Sequence, residues 1–213
     1  MEAMSRVAAG ELANAFCFIG AGGHHAGRNF FGGYCCFNDV VIALRQARRT
    51  GRLRRVAILD TDAHHGDGTR DLVEADPDVL HVCVCASDSA SPDGTKVDIA
   101  APDPWSLNGS PDEAYLALVR QAFPARADRF RPDLIVWYFG FDTHRGDYGD
   151  LGLTSAAYLG IADVMLETAG RVCGGKLLVV LGGGSRTALA TRLIPPIIAK
   201  LGGLAHRQPA ATG

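Results

Sequence analysis

The sequence predicts an α/β fold: a three-layer α/β/α arrangement around a mostly parallel central sheet. Two patterns carry that expectation. Short β-branched apolar runs alternate with longer segments of helical periodicity, the order expected when helices cross between parallel strands. Glycine runs, paired histidines and clustered aspartates also fall just after those apolar runs. In open α/β sheets that is where ligands bind, outside the carboxyl ends of the strands.

Taken in order, the apolar runs Ala15–Ile19, Val56–Asp60, Val79–Val84, Leu134–Tyr138 and Leu177–Leu181 read as strands. The intervening segments Asn38–Arg49, Thr69–Glu74, Pro111–Ala127, Ser155–Val172 and Thr187–Leu201 read as helices. Pro111 and Asp112 suit a helix start, and Thr154 is the expected N-cap of the next one. Ser87–Thr95 reads as a polar loop, and the tail after Gly202 as frayed. There is no internal repeat and no linker, so 213 residues are expected to form one domain with a substantial core.

Composition narrows the function classes. A net charge of −2 offers no basic footprint, which argues against direct nucleic-acid binding. No apolar run approaches the roughly 18 residues of a transmembrane helix, so no membrane association is expected. Glu2, Arg6 and Glu11 interrupt the stretch where a signal peptide would be apolar. A cytoplasmic protein is expected, with Cys17, Cys35, Cys36, Cys83, Cys85 and Cys173 reduced and mostly buried.

The residues just beyond each strand carry the chemistry. The segments are GAGGHHAG, DTDAHHGDGT, GFDTHRGDYGD and GGGS. Asp62 and His64 are two apart where a strand ends, so both side chains can reach one ion. Asp142, ending a neighbouring strand, would enter the same crevice. Three oxygen and nitrogen ligands leave a position open for water, as a catalytic zinc site requires. Histidines that merely cap a loop, and aspartates that merely cap helices, would not explain three such strand ends in one chain. His24 and His25 lie in a glycine-rich turn, and paired histidines can divide the base and acid work of hydrolysis. Asp60 and Asp67 are suitable partners, each orienting one imidazole. A Cys35 nucleophile would leave Asp62, His64 and Asp142 unexplained. His144 and Arg145 read either as pocket rim or as a solvated loop, and Trp105, Trp137 and Tyr138 as packing residues.

GGHHAG, GGYCCFND, ILDTDAHHGDGT, GFDTHRGDYGDLGLT and LGGG resemble, in order, the signature segments of the histone deacetylase and acetylpolyamine amidohydrolase superfamily, which has the arginase-deacetylase fold. They span Gly20 to Leu201, and the DTDAHHGDG block is the most specific. The resemblance implies zinc, or another divalent metal such as Fe2+, held by Asp62, His64 and Asp142. It makes His24 and His25 the tandem catalytic histidines, with Asp60 and Asp67 behind them. Gly33, Tyr34 and Cys35 would line an acyl tunnel, and Gly183, Gly184 and Arg186 are further candidates for the substrate pocket. Backbone carbonyls of Asp60, Asp62 and His64 would offer a structural K+ or Na+ site. The implied substrates are acylated amines, either small molecules such as acetylpolyamines or acyl-lysine proteins.

Three departures accompany the resemblance. Ser185 and Arg186 stand where the family has a tyrosine that polarises the substrate carbonyl. Arg186 is a candidate substitute donor, and a metal-binding pseudoenzyme with weak catalysis is the alternative function. Only 23 residues precede His24, fewer than in family members, so the usual N-terminal segment is expected to be missing. A shortened sheet would expose an edge and invite a homo-oligomer. Cys83 and Cys85 replace a serine and a histidine, which puts the monovalent-ion site in question.

Overall fold

The computed structural model describes residues 1–20 and 22–204. The chain begins with α1 (Glu2–Ala8), β1 (Asn14–Cys17), α2 (Asp39–Arg49), β2 (Val56–Asp60) and α3 (Asp67–Val73). It continues through β3 (Val79–Cys85), β4 (Ser89–Ala90), β5 (Lys96–Ala100), α4 (Pro111–Ala122) and α5 (Pro124–Phe130). Then come β6 (Leu134–Phe139), α6 (Ser155–Cys173), β7 (Leu177–Leu181) and α7 (Thr187–Leu201).

The strands form one sheet in the order β1-β7-β6-β2-β3-β5-β4. All neighbours are parallel except β4 and β5. The chain runs outward from β2 through β3 to one edge, then returns to fill the other side with β6 and β7. That reversal sets the ends of β2, β6 and β7 side by side: Asp60 pairs with Tyr138, and Tyr138 with Val180. The loops after these three strands therefore share one crevice.

Alternation along the strands builds two cores. Leu59, Trp137, Phe139 and Val179 face α4, α5, α6 and α7. Ile58, Val136, Tyr138 and Val180 face the opposite layer, where Met4, Val7, Val40 and Leu44 of α1 and α2 pack. Every residue of β2, β3, β6 and β7 is buried, which is why these strands read as largely apolar runs, with His81 inside β3 and Asp60 at the end of β2 as buried polar exceptions. Helix ends obey the chemistry of their caps. Asn38 precedes α2 and accepts from Val41 N at 3.1 Å, and Thr154 accepts from Ala156 N at the start of α6.

Several expectations need correction. The helix expected over Pro111–Ala127 is two, because Pro124 has no N–H to continue the ladder. β1 starts one residue earlier than expected and stops at Cys17. α3 begins at Asp67 rather than Thr69. Neither α1 nor β5 was expected. Nor was β4, which lies inside the Ser87–Thr95 segment read as a polar loop and pairs antiparallel with β5; in β5 the Lys96 ammonium is buried and bonds the carbonyls of Asp76 and Val79. Of the thiols, Cys35, Cys83 and Cys85 are buried, Cys17 and Cys173 are half-buried and Cys36 is exposed. The tail expected to fray lies, from residue 205 on, outside the described residues. Among the described residues no helix is long and apolar enough to cross a membrane.

Candidate metal centre and paired histidines

The crevice above β2, β6 and β7 brings Asp62, His64 and Asp142 together, one ligand atom from each lying within 4.8 Å of the others. His64 Nδ1 lies 3.0 Å from Asp62 Oδ1 and 3.1 Å from Asp142 Oδ2. Both carboxylates are buried, whereas the His64 side chain is 47% exposed at the open side. Backbone amides orient the acids. Gly183 N donates to Asp62 Oδ2 at 2.6 Å, and Ala63 N donates to Asp142 Oδ1 at 3.2 Å. Glycine is required at 183, since a Cβ there would sit 2.4 Å from Asp62 Oδ2 and 2.8 Å from Asp142 Oδ2.

Two buried carboxylates side by side need a cation. Burial and the charge of Asp62 push the Asp142 carboxyl upward. Burial works against the charged form of Asp62 as well, but hydrogen bonding from His64 outweighs it and keeps that group below the usual carboxylate range. Hydrogen bonds to Asp142 and Asp62 lift His64 to about 10, so a proton on Nδ1 supplies the positive charge the two acids demand. Two carboxylate oxygens and one imidazole nitrogen, converging with an open side, suit a zinc ion. The donor set fits the metal.

Beside it stand two histidine–carboxylate pairs. His24 Nδ1 is 2.9 Å from Asp60 Oδ2, with both residues buried. Burial opposes charge on His24, but the Asp60 carboxylate overrides this and raises the imidazole to about 10. His25 Nδ1 is 2.6 Å from Asp67 Oδ1, at a more exposed position. The two rings lie 4.1 Å apart. A histidine that donates through Nδ1 to a carboxylate keeps Nε2 free for other work.

All of this borders a cavity of ≈ 440 Å³. His24, His25, Asp62 and His64 contribute to its lining, as do Gly33, Tyr34, Cys35, Gly183 and Gly184. Gly33 packs against His25: a Cβ there would meet His25 Cδ2 at 2.1 Å, and φ is +50°. Tyr34 stands at the rim, 98% exposed, while Cys35 is buried.

The placement expected for Arg186 is corrected: it is exposed and outside the lining, its guanidinium beside Gly146. The cause is Asp147, whose carboxylate accepts from Arg186 N at 3.1 Å and from Ser185 N and Oγ. His144 is neither rim nor solvated loop; it is buried, stacked on Tyr158. Sequence reasoning missed Tyr148, which lines the cavity. Its only signal was an aromatic residue inside the glycine- and aspartate-rich segment after Asp142. His65 points elsewhere, with Nε2 3.1 Å from Asp98 Oδ1 and Cys85 close by.

Comparison with known proteins agrees with this fold. The family model described as histone deacetylase domain matches residues 1–201. Histone deacetylase 15 of Arabidopsis thaliana is 32% identical over 206 residues, covering 89% of this chain and 36% of that protein. Histone deacetylase 14, chloroplastic, from the same plant is 36% identical over 177 residues, covering 79% of this chain and 42% of that protein. The histone deacetylase-like amidohydrolase of Pseudomonas aeruginosa is 30% identical over 216 residues, covering 96% of this chain and 56% of that protein. The chain thus spans between about a third and just over half of these relatives' lengths. The crystal structure of the HDA15 HD domain superposes with a TM-score of 0.78 at 28% identity, over 98% of this chain and 61% of that one. With the same fold and a domain match along nearly the whole described chain, this protein belongs to the histone deacetylase family.

Proposed function

We propose that the chain is a zinc-dependent amidohydrolase that removes an acyl group, most simply acetyl, from lysine or polyamine-like amines. The observation that carries this reading is the convergence of the Asp62–His64–Asp142 donor set and two histidine–carboxylate pairs on one cavity. Zinc bound there supplies a Lewis acid that polarises an amide carbonyl and acidifies an attacking water.

The protein residues then move protons. His25, anchored through Nδ1 by Asp67, accepts a proton from water at Nε2 as the water oxygen adds to the carbonyl carbon. The carbonyl π pair moves onto its oxygen. When the pair returns, the C–N bond breaks and its electrons stay on nitrogen, which takes a proton from the histidine pair. His24, tied to the buried Asp60, holds positive charge beside the developing anion. Carboxylic acid and amine are the products, which leave as carboxylate and ammonium once the acid proton passes to the amine.

The ≈ 440 Å³ cavity, with Tyr34 exposed at its rim, has room for an acylated amine side chain or a small acylated amine. The neutral-to-acidic charge balance supports a substrate recruited by shape rather than by a basic surface. A cytoplasmic setting belongs to the same reading.

The test is turnover of a fluorogenic acyl-lysine and acylpolyamine panel by the zinc-loaded protein. Hydrolysis that disappears in Asp142→Ala and in metal-free protein supports the proposal; turnover unchanged without metal contradicts it. One observation favours a second reading, a pseudoenzyme that binds acylated ligands. Ser185 and Arg186 stand where the resemblance places the family's carbonyl-polarising tyrosine, and the Ser185 hydroxyl is committed to Asp147 at 2.9 Å. Saturable binding of an acyl-lysine peptide without hydrolysis, at full zinc loading, would establish that reading instead.

A further inference from the structure

We infer that the Tyr148 hydroxyl is the hydrogen-bond donor for the negative charge that builds on the substrate carbonyl oxygen. The inference rests on the amide hydrolysis proposed above. Addition of water to an amide transfers a π pair onto oxygen, and a site that accelerates this step needs a donor aimed where that charge appears. The turn after β7 does not supply one from its side chains. Ser185 Oγ is bound to Asp147, and Arg186 lies outside the cavity lining.

Tyr148 reaches into the gap from the loop after β6. Its ring centroid lies 5.5 Å from that of His64. Its hydroxyl packs against Gly183, where no side chain fits: a Cβ there would lie 2.6 Å from Tyr148 Oη, 2.4 Å from Asp62 Oδ2 and 2.8 Å from Asp142 Oδ2. The phenol oxygen and both carboxylates of the donor set therefore border one point, the α-carbon side of Gly183. It accepts a hydrogen bond from Gly184 N at 3.0 Å. That bond uses a lone pair and leaves the hydroxyl proton, for which no acceptor is found among the described residues.

The surrounding backbone holds the ring there. Tyr148 N donates to Asp147 Oδ1 at 2.8 Å, and the same carboxylate clamps the turn at Ser185 and Arg186. On its other side, Gly149 lies so close to the metal loop that a Cβ would meet Ala63 Cβ at 2.3 Å. One carboxylate and one glycine thus lock the Tyr148 loop to the two segments that frame the metal donors. A donor held in place before the reaction needs no reorganisation during it.

Tyr148→Phe removes the hydroxyl and keeps the ring. In the zinc-loaded protein, kcat on an acyl-lysine substrate should fall by on the order of 10²-fold, with KM and zinc stoichiometry little changed. A binding arm reads the same group without turnover. The probe is a trifluoromethyl ketone analogue of acetyl-lysine, whose hydrate carries a tetrahedral carbon. Tyr148→Phe should weaken the analogue by about tenfold or more, one hydrogen bond's worth, while leaving affinity for the product amine within twofold. If wild type binds the analogue but does not turn over substrate, the hydrolytic reading fails and the binding arm alone judges Tyr148. Equal analogue affinity in wild type and Tyr148→Phe overturns the inference. So does a loss of kcat that accompanies Arg186→Ala and not Tyr148→Phe.

Discussion

Gly33 and His25 touch so closely that the residue at position 33 sets where the imidazole stands. A Cβ there would meet His25 Cδ2 at 2.1 Å, and the positive φ adds strain for any other residue. If His25 is the base proposed above, Gly33→Ala should displace it, lowering kcat by tenfold or more while zinc binding holds; steady-state kinetics beside a zinc titration checks this. A second residue-scale expectation concerns His81, which is fully buried with its Nε2 unpartnered among the described residues. Burial, reinforced by the Arg70 charge, keeps its pKa well below 6.5, so the folded protein holds it neutral. The unfolded chain binds a proton there below about 6.5 and the folded chain does not, so stability falls as pH drops through that value. The slope from this one group is at most about 1.4 kcal/mol per pH unit. Denaturant midpoints at pH 7 and pH 5.5 should differ less in His81→Gln than in wild type, whatever the variant's stability at pH 7. At this scale the convergence of Asp62, His64 and Asp142 was legible, because spacing two apart at a strand end dictates direction. Tyr148 and Arg186 were not. Their reach depends on how Asp147 ties two distant loops, a contact between segments 38 residues apart.

Among the elements, α3 links the second strand to the histidine loop. Gly68 lies in its first turn, where a Cβ would come within 2.4 Å of Ala26 N and Ala26 C. Such backbone atoms cannot step aside like the end of a side chain. Gly68→Ala should cost on the order of 1–3 kcal/mol and loosen the His25–Asp67 pair. Urea unfolding together with kcat would show both effects, and an unchanged midpoint would contradict the packing described. The buried strands β2, β3, β6 and β7 were readable because burial on both faces leaves a largely apolar run, even with His81 inside β3. β5 escaped because Lys96 finds carbonyl partners inside the fold, so a charged residue there marks a satisfied interior. The boundary at Pro124 was written in the sequence, yet two apolar helices meeting at a proline read as one when only periodicity is considered.

For the whole molecule, the sheet order makes the site. Placing β6 and β7 on one side of β2, with β3 on the other, gathers three loops that are far apart in the chain. The alternation of strand and helix foretold the layers, and the residues after the strands foretold the crevice. Strand order itself was beyond the pattern, since apolar runs carry no label of their neighbours. Because the metal site is assembled only by folding, zinc should stabilise the whole chain: about 2.7 kcal/mol at a hundredfold excess over Kd. Thermal melts with and without zinc should differ by several degrees, and identical melts would contradict a preformed site.

The central claim is that Asp62, His64 and Asp142 hold the metal, and a calorimetric zinc titration of metal-free protein tests it most directly. A rival donor group, His65, Cys85 and Asp98, exists in the same molecule, though Arg70 already pairs with Asp98. One equivalent of zinc should bind to wild type and to Cys85→Ser, and binding should be lost in Asp142→Ala. Binding that survives Asp142→Ala and disappears in Cys85→Ser would put the metal at the other cluster and contradict the assignment.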